Sequence, residues 1–99
     1  MTELARTEQG AVTIAPAALH RIVLQAVGQV EGARVRRPRR SLRVEIEGSR
    51  ARATLPLTIR RGLVLPQVAR EVQERVAKAL HEMLEVEVDG VDVSVEEIT

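Results

Sequence analysis

Apolar residues recur between positions 16 and 30 at steps of three and four, the spacing of one helical face. Pro16 suits the first turn of a helix, because the N–H that proline lacks would have no partner there. The pattern predicts a helix over residues 16–30, with Gly32 as its stop. Its expected buried face consists of Leu19, Ile22, Val23, Ala26, Val27 and Val30.

A second amphipathic segment covers residues 66–84 and again opens on a proline. Its polar face carries Glu71 with Arg75 and Glu74 with Lys78, and acid–base pairs four residues apart stabilise helices. We therefore predict a second helix over this segment. Its expected buried stripe consists of Val68, Val72, Val76, Ala79, Leu80 and Met83.

Four further segments have the features of strands, most of them alternating apolar and polar residues. They cover residues 11–14, 42–47, 50–59 and 86–98. In the last of them, Asp89 and Gly90 suit a turn or a bulge.

Gly48 and Ser49 suit a two-residue hairpin turn between the second and third strands. With that turn, Glu47 lies opposite Arg50, and Glu45 lies opposite Arg52. The apolar residues then face each other as well, and a slip of one residue would destroy this agreement. The hairpin register is therefore predicted from the sequence.

The order strand, helix, strand, strand, helix, strand predicts an α+β fold, a two-layer sandwich with two helices packed on one face of a mostly antiparallel or mixed sheet. Ferredoxin-like folds share this order, but their third strand is central, and Pro56 would remove a ladder hydrogen bond from it. The strand order stays open. We expect residues 1–9 to form a flexible tail and residues 10–99 a single domain.

Charge is divided unevenly along the chain, although the net charge is only +1. Residues 34–61 carry ten arginines against two glutamates, whereas residues 62–99 carry three basic residues against nine acidic ones. Glu47 and Glu45 account for Arg50 and Arg52 across the hairpin, and residues 33–40 are expected to form an exposed connection. The candidate interaction surface is formed by the remaining arginines, Arg34, Arg36, Arg37, Arg39, Arg40, Arg43, Arg60 and Arg61.

The sequence GAVTIAP at residues 10–16, ahead of a helix that ends in VEG at residues 30–32, resembles the opening of the bacterial alkaline shock family, also called the Gls-type envelope stress response family. Residues 65–76, LPQVAREVQERV, resemble that family's second helix almost residue for residue. The closing segment, residues 88–98, is similar to its last strand. The resemblance covers residues 10–98.

This resemblance implies a cytoplasmic bacterial protein associated with cell-envelope homeostasis, without known catalytic residues. Some family members gather beneath the membrane through a separate membrane-anchored partner. We therefore expect protein partners, including further copies of the chain, and no small-molecule substrate. The N-terminus lacks the basic and apolar regions of a signal peptide, and no window approaches the length of a membrane span, which agrees with a cytoplasmic location.

No residue pattern predicts a catalytic, metal or cofactor site. The chain contains no cysteine, and His81 with Glu82 begins a zinc-binding H-E-x-x-H motif whose fifth position is Glu85 instead of histidine. The carboxylates of residues 82–92 lack the spacing of a calcium loop, and the serines lie in no nucleophile motif.

Two functions follow from these patterns. The first is an interaction protein whose helix faces and sheet edge mediate self-association or docking to a partner, with the acidic C-terminal half meeting the basic segment of a neighbour. The second is nonspecific binding of nucleic-acid phosphates by the arginines of residues 34–40. The chain has no aromatic residue to stack on a base, which argues against sequence-specific reading of single strands.

Overall fold

The computed structural model describes residues 3–7 and 10–99, and the side chains from residue 14 onward. In chain order the elements are β1 (Glu3–Thr7), β2 (Gly10–Thr13), α1 (Pro16–Gly28), β3 (Ala33–Val35), α2 (Pro38–Ser41), β4 (Arg43–Glu47), β5 (Arg50–Ile59), α3 (Leu65–Leu84) and β6 (Glu87–Ile98).

Strand β5 is the centre of the main sheet. Strand β6 pairs with it in parallel along its whole length, while β4 and β3 pair antiparallel with its first and last parts on the other side. Helices α1 and α3 contact each other and cover one face of this sheet. The predicted α+β two-layer fold with a mixed sheet is confirmed.

Pro56 lies in the central strand, which is the position the sequence analysis argued against. The carbonyl of Pro56 accepts a hydrogen bond from the Arg36 N–H at 2.8 Å, so this edge of the residue faces the side of β3 and β4. The N–H that proline lacks would point the same way, into the interval between β3 and β4 that α2 occupies. Pro56 lies between Leu57, where the pairing with β3 ends, and Thr54, where the pairing with β4 begins, so the missing N–H falls at the end of a ladder, where a proline is tolerated.

The hairpin of β4 and β5 has the predicted register, with Glu47 opposite Arg50 and Glu45 opposite Arg52. Gly48, the first residue of the turn, has a φ of +60°, as two-residue turns with a glycine in this position require.

The apolar core is formed by the helix faces and by the odd-numbered residues of β5. In α1 the predicted face is buried except for Ile22, which is half-buried. In α3, Val68 and Ala79 of the predicted stripe are half-buried, and the prediction is wrong for Met83, which is 59% exposed, whereas Leu84 is buried. The difference arises because α3 ends at Leu84, where the chain turns back towards β6 and leaves Met83 uncovered.

Three short elements, β1, β3 and α2, were not predicted from the sequence. Residues 33–40 contain β3 and α2 instead of a simple exposed connection, and Val35 within them is buried. The expected tail of residues 1–9 lies partly outside the described residues, and the structure places a strand at Glu3–Thr7 that pairs with β2. The predicted first strand therefore pairs in a separate two-stranded sheet. The division into a tail and a single domain stays a prediction.

Gly32 joins α1 to β3 with a φ of +79°, a backbone conformation that disfavours residues with a Cβ. A Cβ at this position would collide with the Leu63 side chain and would lie 3.4 Å from Arg60 Cβ. Gly28, in the last turn of α1, has a helical φ and no heavy atom within 4 Å of an added Cβ.

We predict that Gly32→Ala lowers the free energy of unfolding by about 1–3 kcal/mol, because it forces alanine into a left-handed conformation and displaces Leu63. Gly28→Ala, the same change in an open helical position, is the matched control and should add about 0.5–1 kcal/mol. Urea unfolding of both variants measures the effect. Equal stability of the two variants would contradict the described turn.

Candidate interaction surface

Helix α2 interrupts the sheet edge that β3 and β4 form together. Its first turn is closed by the Arg37 carbonyl, which accepts hydrogen bonds from the N–H groups of Arg40 and Ser41, each at 3.0 Å. Arg37 adopts the left-handed conformation, with a φ of 49°, immediately before Pro38. This single turn exposes Arg37, Arg39 and Arg40 around Pro38, beside a surface depression of about 430 Å³.

Arg34, Arg36 and Arg43 belong to the open face of the sheet, which the helices do not cover. Val35 is buried towards the helices, and side chains alternate along a strand, so the neighbouring arginines point the other way. Arg43 lies opposite Thr54 on β5, and Arg34 lies opposite Thr58.

Arg60 and Arg61 directly follow β5, beside the start of β3. The Arg60 N–H donates to the Gly32 carbonyl at 2.8 Å, and its side chain lies 3.6 Å from Glu31. The Arg61 N–H donates to the Thr99 carbonyl at 2.7 Å. The predicted arginines thus follow one edge of the sheet and its end, in three groups with different contacts.

Three arginines of the open face, Arg36, Arg50 and Arg52, contact carboxylates of β6. Nε of Arg50 donates to both carboxylate oxygens of Asp89, at 2.9 and 3.0 Å. Nε of Arg52 donates to Asp92 at 3.1 Å. Arg36 lies 3.5 Å from Glu96, so its side chain crosses β5 from the β3 side to the β6 side.

These contacts correct the prediction that Glu47 and Glu45 account for Arg50 and Arg52. The residues lie opposite each other as predicted, but both guanidinium groups bind acids of β6, the other neighbour of β5. The sequence pattern did not place β6 beside β5, and therefore could not decide between the two sets of carboxylates.

Two irregularities in β6 shape its acidic side. The first adds Asp89 between the residues paired with Ala51 and Arg52, which confirms the predicted bulge. Gly90 then leaves room for Arg52, whose Nη2 would lie 3.1 Å from a Cβ at that position.

The second irregularity adds Glu96, so that Glu96 and Glu97 both reach the open face. Glu96 contacts Arg36, and Glu97 accepts a hydrogen bond from Thr58 Oγ1 at 3.2 Å. Extra residues in β6 therefore give the open face more carboxylates than strict alternation would supply.

Hydrogen bonding from Arg50 holds the pKa of Asp89 below its ordinary value, and the same bond raises the pKa of Arg50. Both side chains remain in contact with solvent, and exposed ion pairs contribute little to stability. On the open face, Arg36, Arg50 and Arg52 are thus each neutralised by a carboxylate of β6, whereas Arg34 and Arg43 form no ion pair among residues 14–99.

A groove between α1 and α2 was missed by the sequence analysis. It has a volume of about 470 Å³, an apolar floor of Ala17, Leu24 and Pro38, and a rim that includes Arg21 and Arg39. The available signal was Leu24, an apolar residue outside the predicted buried face of α1, which is 37% exposed.

The C-terminal end of α3 is acidic, in contrast to the arginine-lined rim of the groove. Glu82, Met83 and Glu85 are all exposed there. His81, next to them, donates from Nδ1 to the Val86 carbonyl at 3.0 Å, which gives this histidine a structural role. Within residues 14–99, whose side chains the structure describes, no group of three or more potential metal ligands occurs.

None of the helices in the described part of the chain is both long enough and apolar enough to cross a bilayer.

Comparison with known proteins identifies the family. The model of the alkaline shock protein family, which is described by a "cell envelope-related function", matches residues 33–99, about two thirds of the chain. The chain belongs to this family. The match confirms the resemblance over residues 33–99, which include every arginine of the candidate surface, whereas residues 10–32 lie outside the match. The comparison with curated proteins gives no match.

Solved structures support the same fold. The chain is similar to a nickel form of MamM CTD, with 22% identity, a TM-score of 0.56, and coverage of 82% of this chain and 96% of that chain. MamM-CTD 215-293 gives 21% identity, a TM-score of 0.57, and coverage of 84% and 99%. A cadmium form of MamM CTD has 23% identity and a TM-score of 0.56, and the match covers 82% of this chain and 94% of that chain. At this level of identity, the likeness establishes the fold alone.

We predict that Arg50→Gln raises the pKa of Asp89 towards its ordinary value, because the carboxylate loses its strongest hydrogen-bond donor. Since the wild-type pKa is lowered, the pair stabilises the fold above the ordinary carboxyl pKa, and this contribution is lost as the pH falls through the lowered value. NMR titration of the Asp89 carboxyl carbon measures the shift. Arg61→Gln is the control, and an unchanged Asp89 pKa in Arg50→Gln would contradict the ion pair.

Proposed function

We propose that this member of the alkaline shock family serves the cell envelope through contacts with proteins, including other copies of itself, and not through catalysis. The observation that carries the proposal is the separation of exposed, opposite charges on different elements. Arginines concentrate on α2, and carboxylates concentrate at the end of α3.

Local ion pairs use only part of this charge. On the open face, Arg36, Arg50 and Arg52 are each held by a β6 carboxylate. Among residues 14–99, by contrast, no carboxylate lies within ion-pair distance of the α2 arginines, and no basic group lies so near Glu82 or Glu85. Complementary charges that form no ion pair among residues 14–99 favour attraction between copies, or towards a charged partner.

The family's cell envelope-related function supports a role near the membrane. We place the protein in the cytoplasm and assign its approach to the membrane to a separate, membrane-anchored partner, as the family resemblance implies. Metal binding is not transferred from the nickel and cadmium forms of MamM CTD, because the described residues bring together no comparable group of ligands.

Light scattering coupled to size exclusion tests the self-association. We predict a mass above the 10.9 kDa of one chain at about 50 mM salt, and a lower mass at about 500 mM, because salt screens attraction between exposed charges. A mass of one chain at both salt concentrations, at high protein concentration, would refute self-association.

A second candidate function is nonspecific binding of a nucleic-acid backbone, which the exposed cluster of Arg37, Arg39 and Arg40 favours. It predicts that a short mixed RNA binds with an affinity that falls steeply with salt. Replacing these three arginines with serine should abolish that binding, whereas serine at Arg70 and Arg75 on α3 should preserve it. RNA binding that is indifferent to the α2 substitutions would exclude this site.

A further inference from the structure

We propose that the end of α3 in one copy, formed by Glu82, Met83 and Glu85, docks into the α1–α2 groove of a second copy. This inference rests on the proposed self-association and specifies its two contacting surfaces. Met83 would enter the groove, and its flanking carboxylates would meet the arginines of the rim.

The groove has the chemistry of a receptor for an apolar side chain with acidic neighbours. Leu24 and Pro38 supply an apolar floor from two different elements, while Arg21 and Arg39 flank it with positive charge. Its volume of about 470 Å³ lies within the range of clefts that receive ligands or side chains. Arg37 and Arg40 extend the positive charge along the adjoining depression.

The end of α3 has the complementary chemistry, an exposed apolar side chain with a carboxylate on either side in sequence. Met83 is 59% exposed, the largest value among the exposed large apolar residues of the described chain. Glu82 and Glu85 lie on either side of it in sequence, and both are exposed. Methionine is a flexible side chain that adapts to irregular apolar surfaces, and burying it removes apolar area from water.

Charge complementarity decides that the occupant is a second copy. A neutral apolar partner would leave the arginines of the rim without a counter-charge, whereas an apolar residue between two glutamates satisfies the floor and the rim together. This chain itself presents that combination. Because the groove and the end of α3 belong to different elements, each copy offers both halves of the contact, which allows either a closed pair or a head-to-tail series.

A charge-swap experiment tests the docking. The groove variant Arg21→Glu with Arg39→Glu, and the helix-end variant Glu82→Lys with Glu85→Lys, each juxtapose like charges in a homogeneous sample. We expect each variant alone to associate at least about tenfold more weakly than the wild type. An equimolar mixture should recover association, because the acidic groove then meets the lysine-bearing helix end, and the unaltered halves still match. Light scattering on the three samples measures the masses.

The controls are Arg70→Glu and Glu71→Lys, which make the same charge changes on exposed positions of α3 away from both surfaces. Circular dichroism verifies that every variant is folded. Variants that associate as strongly as the wild type, or a mixture that fails to recover association, would overturn the docking while leaving self-association in place. A wild type that never associates would overturn the proposed function as well.

Discussion

The rest of the structure depends on β5, whose core-facing side chains are completely covered while its backbone needs partners on both sides. Leu55, Leu57 and Ile59 are 0% exposed, and a strand buried to this degree cannot leave its N–H and carbonyl groups unpaired. β6 supplies partners along one whole side. On the other side, β3 and β4 share the strand, and their separation coincides with Pro56, the one residue of β5 that has no N–H to satisfy. The proline thus marks where the edge can open, and α2 with its arginines fills that opening.

The pairing of β5 with β6 also determines which charges remain available. The bulges of β6 bring Asp89 and Glu96 onto the open face, where they hold Arg50 and Arg36. The sequence suggests one basic block opposed to one acidic block, but folding neutralises much of both on this face. The charges on α2 and at the end of α3 lie outside the sheet and form no ion pair among residues 14–99.

Local patterns predicted the parts of the fold that depend on near neighbours in sequence. The period of three to four residues predicted most of the buried faces of α1 and α3, and the hairpin register followed from a two-residue turn with matched flanking residues. Three features required long-range information: the parallel pairing of β5 with β6, the choice of Asp89 over Glu47 as the partner of Arg50, and the groove in which Leu24 meets Pro38. Segments of three and four residues, such as β3 and α2, are too short to show a period. The tolerance of Pro56 also required long-range information, because it depends on where β3 and β4 pair with β5.

The edges of the main sheet are poor sites for pairing with a strand of another molecule. α2 breaks the edge formed by β3 and β4, so no continuous row of backbone groups is presented there. β6 pairs only with β5 among the described strands, but its two bulges distort its outer side, and Gln73 on α3 donates to the Val91 carbonyl at 3.0 Å. Bulges, edge charges and covered carbonyl groups are the means by which folded proteins prevent edge-to-edge pairing. Both edges of the main sheet are blunted in this way, and the helix layer carries the exposed Leu24 and Met83 beside charges that form no ion pair among residues 14–99.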